Sequence, residues 1–159
     1  MKIIYFSGVH GTGKTTIIEE IKELYLPTAT ILSLDLFPFY PTDYLENQIH
    51  RITNFSQTIR SADAPIILID RSPFDPLLYA ETLQKFEEET ELTIGRLESI
   101  YKVFKIIPYE LYMSSYVVFL NLTKERILSN IKDRNNEASN LMFKPNFVIT
   151  LQSCFKSFY

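Results

Sequence analysis

A glycine-rich segment near the start of the chain has the residue types needed to bind a nucleoside triphosphate. Residues 8–15 read Gly-Val-His-Gly-Thr-Gly-Lys-Thr and match the Walker A pattern GxxxxGK[ST]. Glycines let successive backbone N–H groups curl around an anion, and a helix that begins at the end of the loop adds its positive dipole end. The segment therefore predicts binding of ATP with Mg²⁺ by Gly8, Gly11, Thr12, Gly13, Lys14, Thr15 and Thr16.

Three side chains of this segment have separate expected roles. Lys14 brings a positive charge to the β and γ phosphates, Thr15 offers a hydroxyl ligand to magnesium, and Thr16 donates to the α phosphate. His10 has two interpretations, since its side chain either points outward or takes part in catalysis. The loop by itself does not decide between them.

A second motif, Asp70-Arg71-Ser72, begins with an acidic residue and follows a continuous apolar run at residues 66–69. The run predicts a buried strand that delivers Asp70 to the carboxyl edge of a sheet, where such folds bind ligands. A carboxylate there can hold the water shell of a metal ion. Arg71 can neutralise charge on an anionic substrate or on a phosphoryl group in transfer. The alternative is a surface ion pair between the two residues.

The apolar pattern along the chain predicts the elements that position these residues. Four short runs predict strands buried on both faces, at residues 3–6, 30–34, 66–69 and 116–122. Apolar residues at helical spacing predict helices after the loop, over 43–59, over 73–86, over 97–104, and after a cap at Thr123. The alternation predicts a three-layer α/β fold with a parallel sheet of four to five strands and helices on both faces. Residues 147–151 fit a fifth strand or a helix equally well.

Composition narrows the class of protein. The 159 residues are 46% hydrophobic, which suits a single domain over residues 1–159. A net charge of −3 without a basic cluster argues against binding of duplex nucleic acid. No apolar run is long enough to span a membrane, and the single cysteine, Cys154, fits a reducing compartment, so we expect a cytoplasmic protein.

The glycine loop and Asp70-Arg71-Ser72-Pro73 together resemble motifs of the nucleoside and nucleoside monophosphate kinases, a branch of the P-loop proteins. Deoxynucleoside kinases have an acid-Arg-Ser triplet at this strand end, and thymidylate kinases have an Asp-Arg pair. The resemblance covers about residues 1–140. It implies a P-loop NTPase fold and the activity of an ATP-dependent kinase.

The same resemblance implies roles for three further residues. Asp35, just after the second predicted strand, would orient or deprotonate the acceptor. A lid over residues 124–141 would place Arg126 against the adenine and bring Arg134 to the transferred phosphate. The chain departs from the family in being shorter than most members and in having fewer lid arginines than many.

The acceptor would lie near an unusual aromatic stretch at residues 36–41, Leu-Phe-Pro-Phe-Tyr-Pro. Its rings either stack on a base or sugar, or cover the core. Arg51, on the predicted second helix, is a candidate partner for an acceptor phosphate, although exposed helix arginines are commonly just solvated.

The residues and the resemblance together predict phosphoryl transfer from ATP to a small acceptor, a nucleoside or nucleotide, with Lys14, Asp35, Arg71 and Arg134 as the catalytic set. Two alternatives stay open: hydrolysis of ATP with water as acceptor, and a nucleotide-binding regulatory protein without turnover. A homodimer is compatible with the sequence.

Overall fold

Parallel strands form the centre of the fold. The computed structural model of the chain describes residues 1–33, 44–86, 98, 101–102, 105, 115–133 and 144–159. Within them lie β1 (Lys2–Ser7), β2 (Thr30–Ser33), β3 (Ile66–Asp70) and β4 (Ser115–Phe119). The strands form one sheet in the order β2-β3-β1-β4, and every pairing is parallel. The carboxyl ends of all four strands therefore meet at one edge.

Helices follow the strands as the alternating pattern predicts. They are α1 (Lys14–Tyr25), α2 (Tyr44–Ser61), α3 (Asp75–Phe86), α4 (Lys124–Asp133) and α5 (Pro145–Phe158). Residues 147–151 lie inside α5, which decides in favour of a helix over a fifth strand. Most of the helix predicted over 97–104, and residues 134–141 of the predicted lid, lie outside the described residues.

The two faces of the sheet carry separate apolar clusters, and these make the three layers. On one face, Ile3 and Tyr5 of β1 pack with Phe55 and Ile59 of α2. On the other face, a second cluster joins β1, β3 and α1 through Phe6, Leu68 and Ile18. Alternate residues of β1 thus point to helices on opposite faces of the sheet, and β1 is buried on both faces. The predicted three-layer α/β fold is confirmed.

Burial of every strand on both faces was wrong for β4. Tyr116 is 63% exposed, and Val117 and Val118 are each 38% exposed. Among the described residues β4 pairs only with β1, so it lies at an edge of the sheet. An apolar run predicts a strand but not its place in the sheet, and an outer strand is covered less than an inner one.

A third apolar cluster fastens α3, α4 and α5 to the base of the glycine loop. Phe155 of α5 is fully buried, with its ring 6.1 Å from the Tyr79 ring of α3 and 6.1 Å from the Phe119 ring of β4. Val9 of the loop and Ile127 of α4 belong to the same cluster. The loop therefore rests on a packed helical layer. None of the described helices has the length and apolar character needed to cross a membrane.

We predict that Phe155→Ala lowers the free energy of unfolding by about 3–5 kcal/mol, the usual cost of removing a buried aromatic ring. The matched control is Phe158→Ala on the same helix, where the side chain is 44% exposed and the loss should be much smaller. Urea denaturation followed by circular dichroism measures both. Equal losses in the two variants would contradict this packing of α5.

Candidate active site

The glycine loop leaves β1 and closes tightly against the end of β4. Gly8, Gly11 and Gly13 all have positive φ angles, of 146°, 80° and 81°. A Cβ atom on Gly8 would lie 2.6 Å from the carbonyl oxygen of Leu120, so no larger residue fits there without displacing the backbone. Inside the loop, the Thr12 hydroxyl donates to the Val9 carbonyl at 2.9 Å. The loop is thus shaped by close backbone contacts before it reaches α1.

Lys14 begins α1, and its side chain folds back over the loop. The residue is buried, and its ammonium donates to the carbonyl oxygens of Gly8 at 2.8 Å and Val9 at 3.0 Å. A buried cation at the mouth of a helix N-terminus adds to the positive dipole end of that helix. The charge lies where phosphate oxygens would approach the loop.

Thr15 and Asp70 provide the oxygen ligands that magnesium prefers. The Thr15 hydroxyl donates to Oδ2 of Asp70 at 2.6 Å, which links the first turn of α1 to the end of β3. A hydroxyl and a carboxylate are hard oxygen donors that hold Mg²⁺ when phosphates and water supply the other positions. Among the described residues, no group of three or more His, Cys, Asp or Glu could hold a metal by itself. The pair therefore fits a metal that is shared with a phosphate ligand.

Arg71 reaches the loop because the chain turns sharply after β3. Its φ angle is 82°, and it is the only non-glycine residue with positive φ in the described part of the chain. Its backbone N–H still donates to the Phe6 carbonyl at 3.0 Å, which continues the β1–β3 ladder by one residue. A left-handed conformation costs a residue with a long side chain about 1–3 kcal/mol, and such outliers concentrate at functional sites.

Among the described residues, His10 and Tyr79 contact the Arg71 guanidinium. Nη2 lies 3.2 Å from Nδ1 of His10, and Nη1 donates to the Tyr79 hydroxyl at 3.4 Å. The imidazole meets the Tyr79 ring edge to face at 5.3 Å between centroids. The guanidinium carbon also lies 5.7 Å from the centre of the Tyr79 ring. Tyr79 was not identified from the sequence, where it reads as one more apolar position of a helix.

These groups surround one small cavity of about 110 Å³. The structure brings together six residues predicted from the two motifs and adds His10; the lining consists of His10, Gly11, Gly13, Lys14, Thr15, Asp70 and Arg71. Thr16 is exposed on the first turn of α1. The cavity is lined by the cations Lys14 and Arg71 and by the Thr15–Asp70 pair, a set of groups suited to a phosphate with its metal.

The proposed lid and acceptor residues are only partly described. Arg126 is exposed on the first turn of α4, which begins where the Thr123 hydroxyl accepts from the Arg126 backbone N–H at 3.4 Å, so the predicted cap is present. Asp35, Arg134 and the stretch at 36–41 lie outside the described residues, as does the side chain of Arg51.

Helix α4 contacts the loop directly through a residue that sequence reasoning missed. The Asn130 side-chain amide donates to the Gly11 carbonyl at 2.7 Å. A Cβ atom on Gly11 would lie 3.0 Å from the Ile131 side chain, so helix and loop are in close contact. Two residues 119 positions apart in sequence give no local signal of this contact.

A buried carboxyl group lies beneath the loop. Asp75, at the start of α3, is 1% exposed; its Oδ1 accepts from the Ser7 hydroxyl at 2.5 Å, and its buried Oδ2 has no hydrogen-bond partner among the described residues. Burial raises the pKa of Asp75 to about 7, although the Ser7 hydrogen bond and the charges of Arg71 and Lys14 lower it. Burial and the Asp75 charge also raise the pKa of Tyr159. Sequence reasoning missed the Ser7–Asp75 pair, although each residue flanks a motif.

Comparison with known families accounts for the loop and the second motif together. The family model for the ATPase family associated with various cellular activities (AAA) matches residues 4–92, more than half of the chain. The chain belongs to this family. The matched segment contains the glycine loop, Asp70 and Arg71, so the AAA-family assignment rests on the part of the chain that forms the cavity. No curated protein sequence matches the chain.

Solved structures similar to this AAA-family chain extend the comparison to its full length. Three are structures of a deoxyadenosine kinase from M. mycoides, with products dCMP and a flexible dCDP, with dATP, and with dCTP. Their TM-scores are 0.70, 0.69 and 0.71 at 18%, 18% and 20% sequence identity. The alignments cover 99%, 100% and 100% of this chain and 83%, 84% and 83% of the kinase chains. The expected three-layer α/β P-loop NTPase fold is therefore confirmed.

The position of Asp75 predicts an unusual dependence of stability on pH. Because its pKa is raised in the folded state, folding favours the protonated carboxyl; stability should be highest below about pH 4 for this group and fall as pH rises toward 7. Asp75→Asn should remove that fall and be more stable than the parent chain at pH above 7.

Urea midpoints measured across this range for the parent chain, Asp75→Asn and the exposed control Asp63→Asn test the prediction. The control should keep the slope of the parent chain. A slope that persists unchanged in Asp75→Asn would assign it to other groups.

Proposed function

We propose that this chain transfers a phosphoryl group from ATP to a small acceptor, a nucleoside or a nucleotide. The observation that carries the proposal is the cavity in which Lys14, the Thr15–Asp70 pair and Arg71 converge. In phosphoryl transfer, positioning and neutralisation of charge supply most of the rate enhancement. This cavity contains groups for both tasks.

The donor would bind along the loop. The backbone N–H groups of the loop and the start of α1 would take the β and γ phosphates, with Lys14 as the mobile cation. Thr15 and Asp70 would hold magnesium, which would supply positive charge to neutralise the phosphates of the donor. Arg71, which also lines the cavity, would offset charge on the group in transfer.

Fold likeness and the motif at β3 support a nucleoside or nucleotide as the proposed acceptor. The chain shares its fold over nearly its full length with a deoxyadenosine kinase whose structures contain deoxynucleotides. By that likeness, Asp35 would orient or deprotonate the acceptor hydroxyl, Arg126 would lie against the adenine, and Arg134 would reach the transferred phosphate. These three assignments are part of the proposal.

Hydrolysis of ATP is a second candidate function, and the AAA family match favours it. The donor site would be unchanged, and water would take the place of the acceptor hydroxyl. Only the dependence on acceptor separates the two activities. Formation of ADP that rises with an added nucleoside or nucleotide supports transfer, whereas the same rate of ADP formation without one supports hydrolysis.

We predict that Lys14→Ala lowers the rate of ADP formation by about a hundredfold or more, because the buried cation at the loop is lost. The assay follows ADP from ATP and magnesium with a panel of nucleosides and nucleotides. Lys2→Ala is the control, since Lys2 is exposed at the amino end of β1, away from the loop. Melting temperatures of both variants report whether they fold. Full turnover by folded Lys14→Ala would refute the proposed role of the loop.

We predict that Thr15→Val raises the magnesium concentration for half-maximal activity about tenfold, because the variant keeps the shape of Thr15 but has no hydroxyl for the metal. Thr15→Ser keeps the hydroxyl and should stay within about threefold of the parent chain on the same scale. A magnesium titration at saturating ATP measures both. Equal behaviour of the two variants would show that this hydroxyl does not bind the metal.

A further inference from the structure

His10 is the one residue of the cavity to which the proposed transfer gives no task. It occupies a variable position of the loop pattern, yet its ring lies between the loop and α3 and contacts Arg71 and Tyr79. Arg71, by contrast, has a proposed task, and this task requires its guanidinium to be held at a defined place. A free arginine side chain has about 2 kcal/mol of rotamer entropy to lose when it is held in one place.

The chemistry of the contact decides the protonation state of His10. A guanidinium group has five N–H donors and no acceptor, so the 3.2 Å contact between Nη2 of Arg71 and Nδ1 of His10 requires Nδ1 to accept. The imidazole in this arrangement is neutral, with its proton on Nε2. The edge-to-face contact of the imidazole with the Tyr79 ring restricts the orientation of the imidazole, and with it the direction of the Nδ1 lone pair.

We propose that His10 is a positioning residue that orients the Arg71 guanidinium toward the phosphate cavity by accepting its Nη2 hydrogen bond. The proposal rests on the proposed function and names the group that holds the arginine of that site. Tyr79 completes the arrangement: its hydroxyl accepts from Nη1, and its ring lies under the guanidinium carbon. Two acceptors at the two terminal nitrogens define the plane of the group.

Protonation of His10 would break its hydrogen bond with Arg71. An imidazolium has N–H groups at both nitrogens, so Nδ1 could no longer accept, and its charge would repel the guanidinium. In the described part of the chain, the charged groups near His10 are Arg71 and Lys14 as cations and Asp70 as an anion of the same cavity, and Asp75, which interacts with Arg71 and Lys14. From α3 the phenol of Tyr79 faces the ring, and from α4 the loop is met by Asn130, Ile127 and Ile131, which do not titrate.

The first experiment measures kcat and the KM for ATP of full-length His10→Asn and His10→Phe from about pH 5 to 8, the range in which imidazole titrates. Asn places an acceptor oxygen at the δ position and does not titrate, whereas Phe keeps a ring beside Tyr79 without an acceptor. His10→Phe should lose about tenfold or more in kcat, the usual worth of a hydrogen bond to a charged group, with little change in KM. His10→Asn should recover kcat to within about threefold and lose the decline of the parent chain toward acid pH.

Two results would overturn the proposal. His10→Phe with the kcat and pH profile of the parent chain would show that the acceptor is not used. Equal loss in His10→Asn and His10→Phe, with both folded by melting temperature, would show that the ring and not its Nδ1 matters. Tyr79→Phe is the companion variant: it keeps the ring but removes the Nη1 acceptor, and it should lower kcat without removing the acid decline.

A second experiment does not need turnover and therefore separates this inference from the proposed function. The chain has two histidines, His10 and His50, so ¹⁵N spectra of the imidazoles can be assigned with His10→Asn. At neutral pH, His10 should show an unprotonated Nδ1 and a protonated Nε2, and Arg71→Met should raise the pH at which His10 protonates. A protonated Nδ1 in the parent chain would refute the contact even if kinase activity were found. The expected tautomer without any transfer would refute only the proposed function.

Discussion

β1 lies between β3 and β4 in parallel register, and the glycine loop leaves the sheet from this central position. Phe6 pairs with Asp70, and Ser7 pairs with Phe119, so the loop begins between the ends of its two neighbours. This register lets Thr15 reach Asp70 and brings Gly8 against Leu120. A slip of one residue would turn Asp70 to the opposite face of the sheet and remove the pair that can hold magnesium.

The region around the loop contains locally unfavourable features, whose free-energy cost must be offset by the surrounding packing. Arg71 has a left-handed backbone, and Asp75 is a buried carboxyl group, one oxygen of which has no hydrogen-bond partner among the described residues. Both lie where α3 meets the loop, above the aromatic cluster of Tyr79, Phe119 and Phe155. A well-packed apolar layer can maintain such strained and desolvated groups because shifting them would break its own contacts. In the described part of the chain, the strained backbone of Arg71 and the buried carboxyl of Asp75 thus lie next to the loop where anions would bind.

Local pattern predicted the individual elements well and their surroundings poorly. The runs at 3–6 and 66–69 are strands within one residue at each end, and the helix predicted from Asp43 appears as α2. The run at 116–122 becomes a strand that ends at Phe119, and three of its side chains are exposed. An apolar run predicts that a segment forms a strand, but whether the strand lies at the edge or the centre of the sheet depends on which strands pair. Hydrophobicity also left residues 147–151 undecided between strand and helix, because a short apolar run fits either.

The amino-acid sequence by itself determined the glycine loop, the donors Lys14 and Thr15, and the delivery of Asp70-Arg71 to a strand end, because these depend on spacing within a few residues. Only the tertiary structure decided which side chains meet them. His10 reaches Arg71 across 61 residues, Ser7 reaches Asp75 across 68, and Asn130 reaches Gly11 across 119. Contacts at such separations are set by strand order and by the packing of helices on the sheet. Local conformational preference contains no information about either.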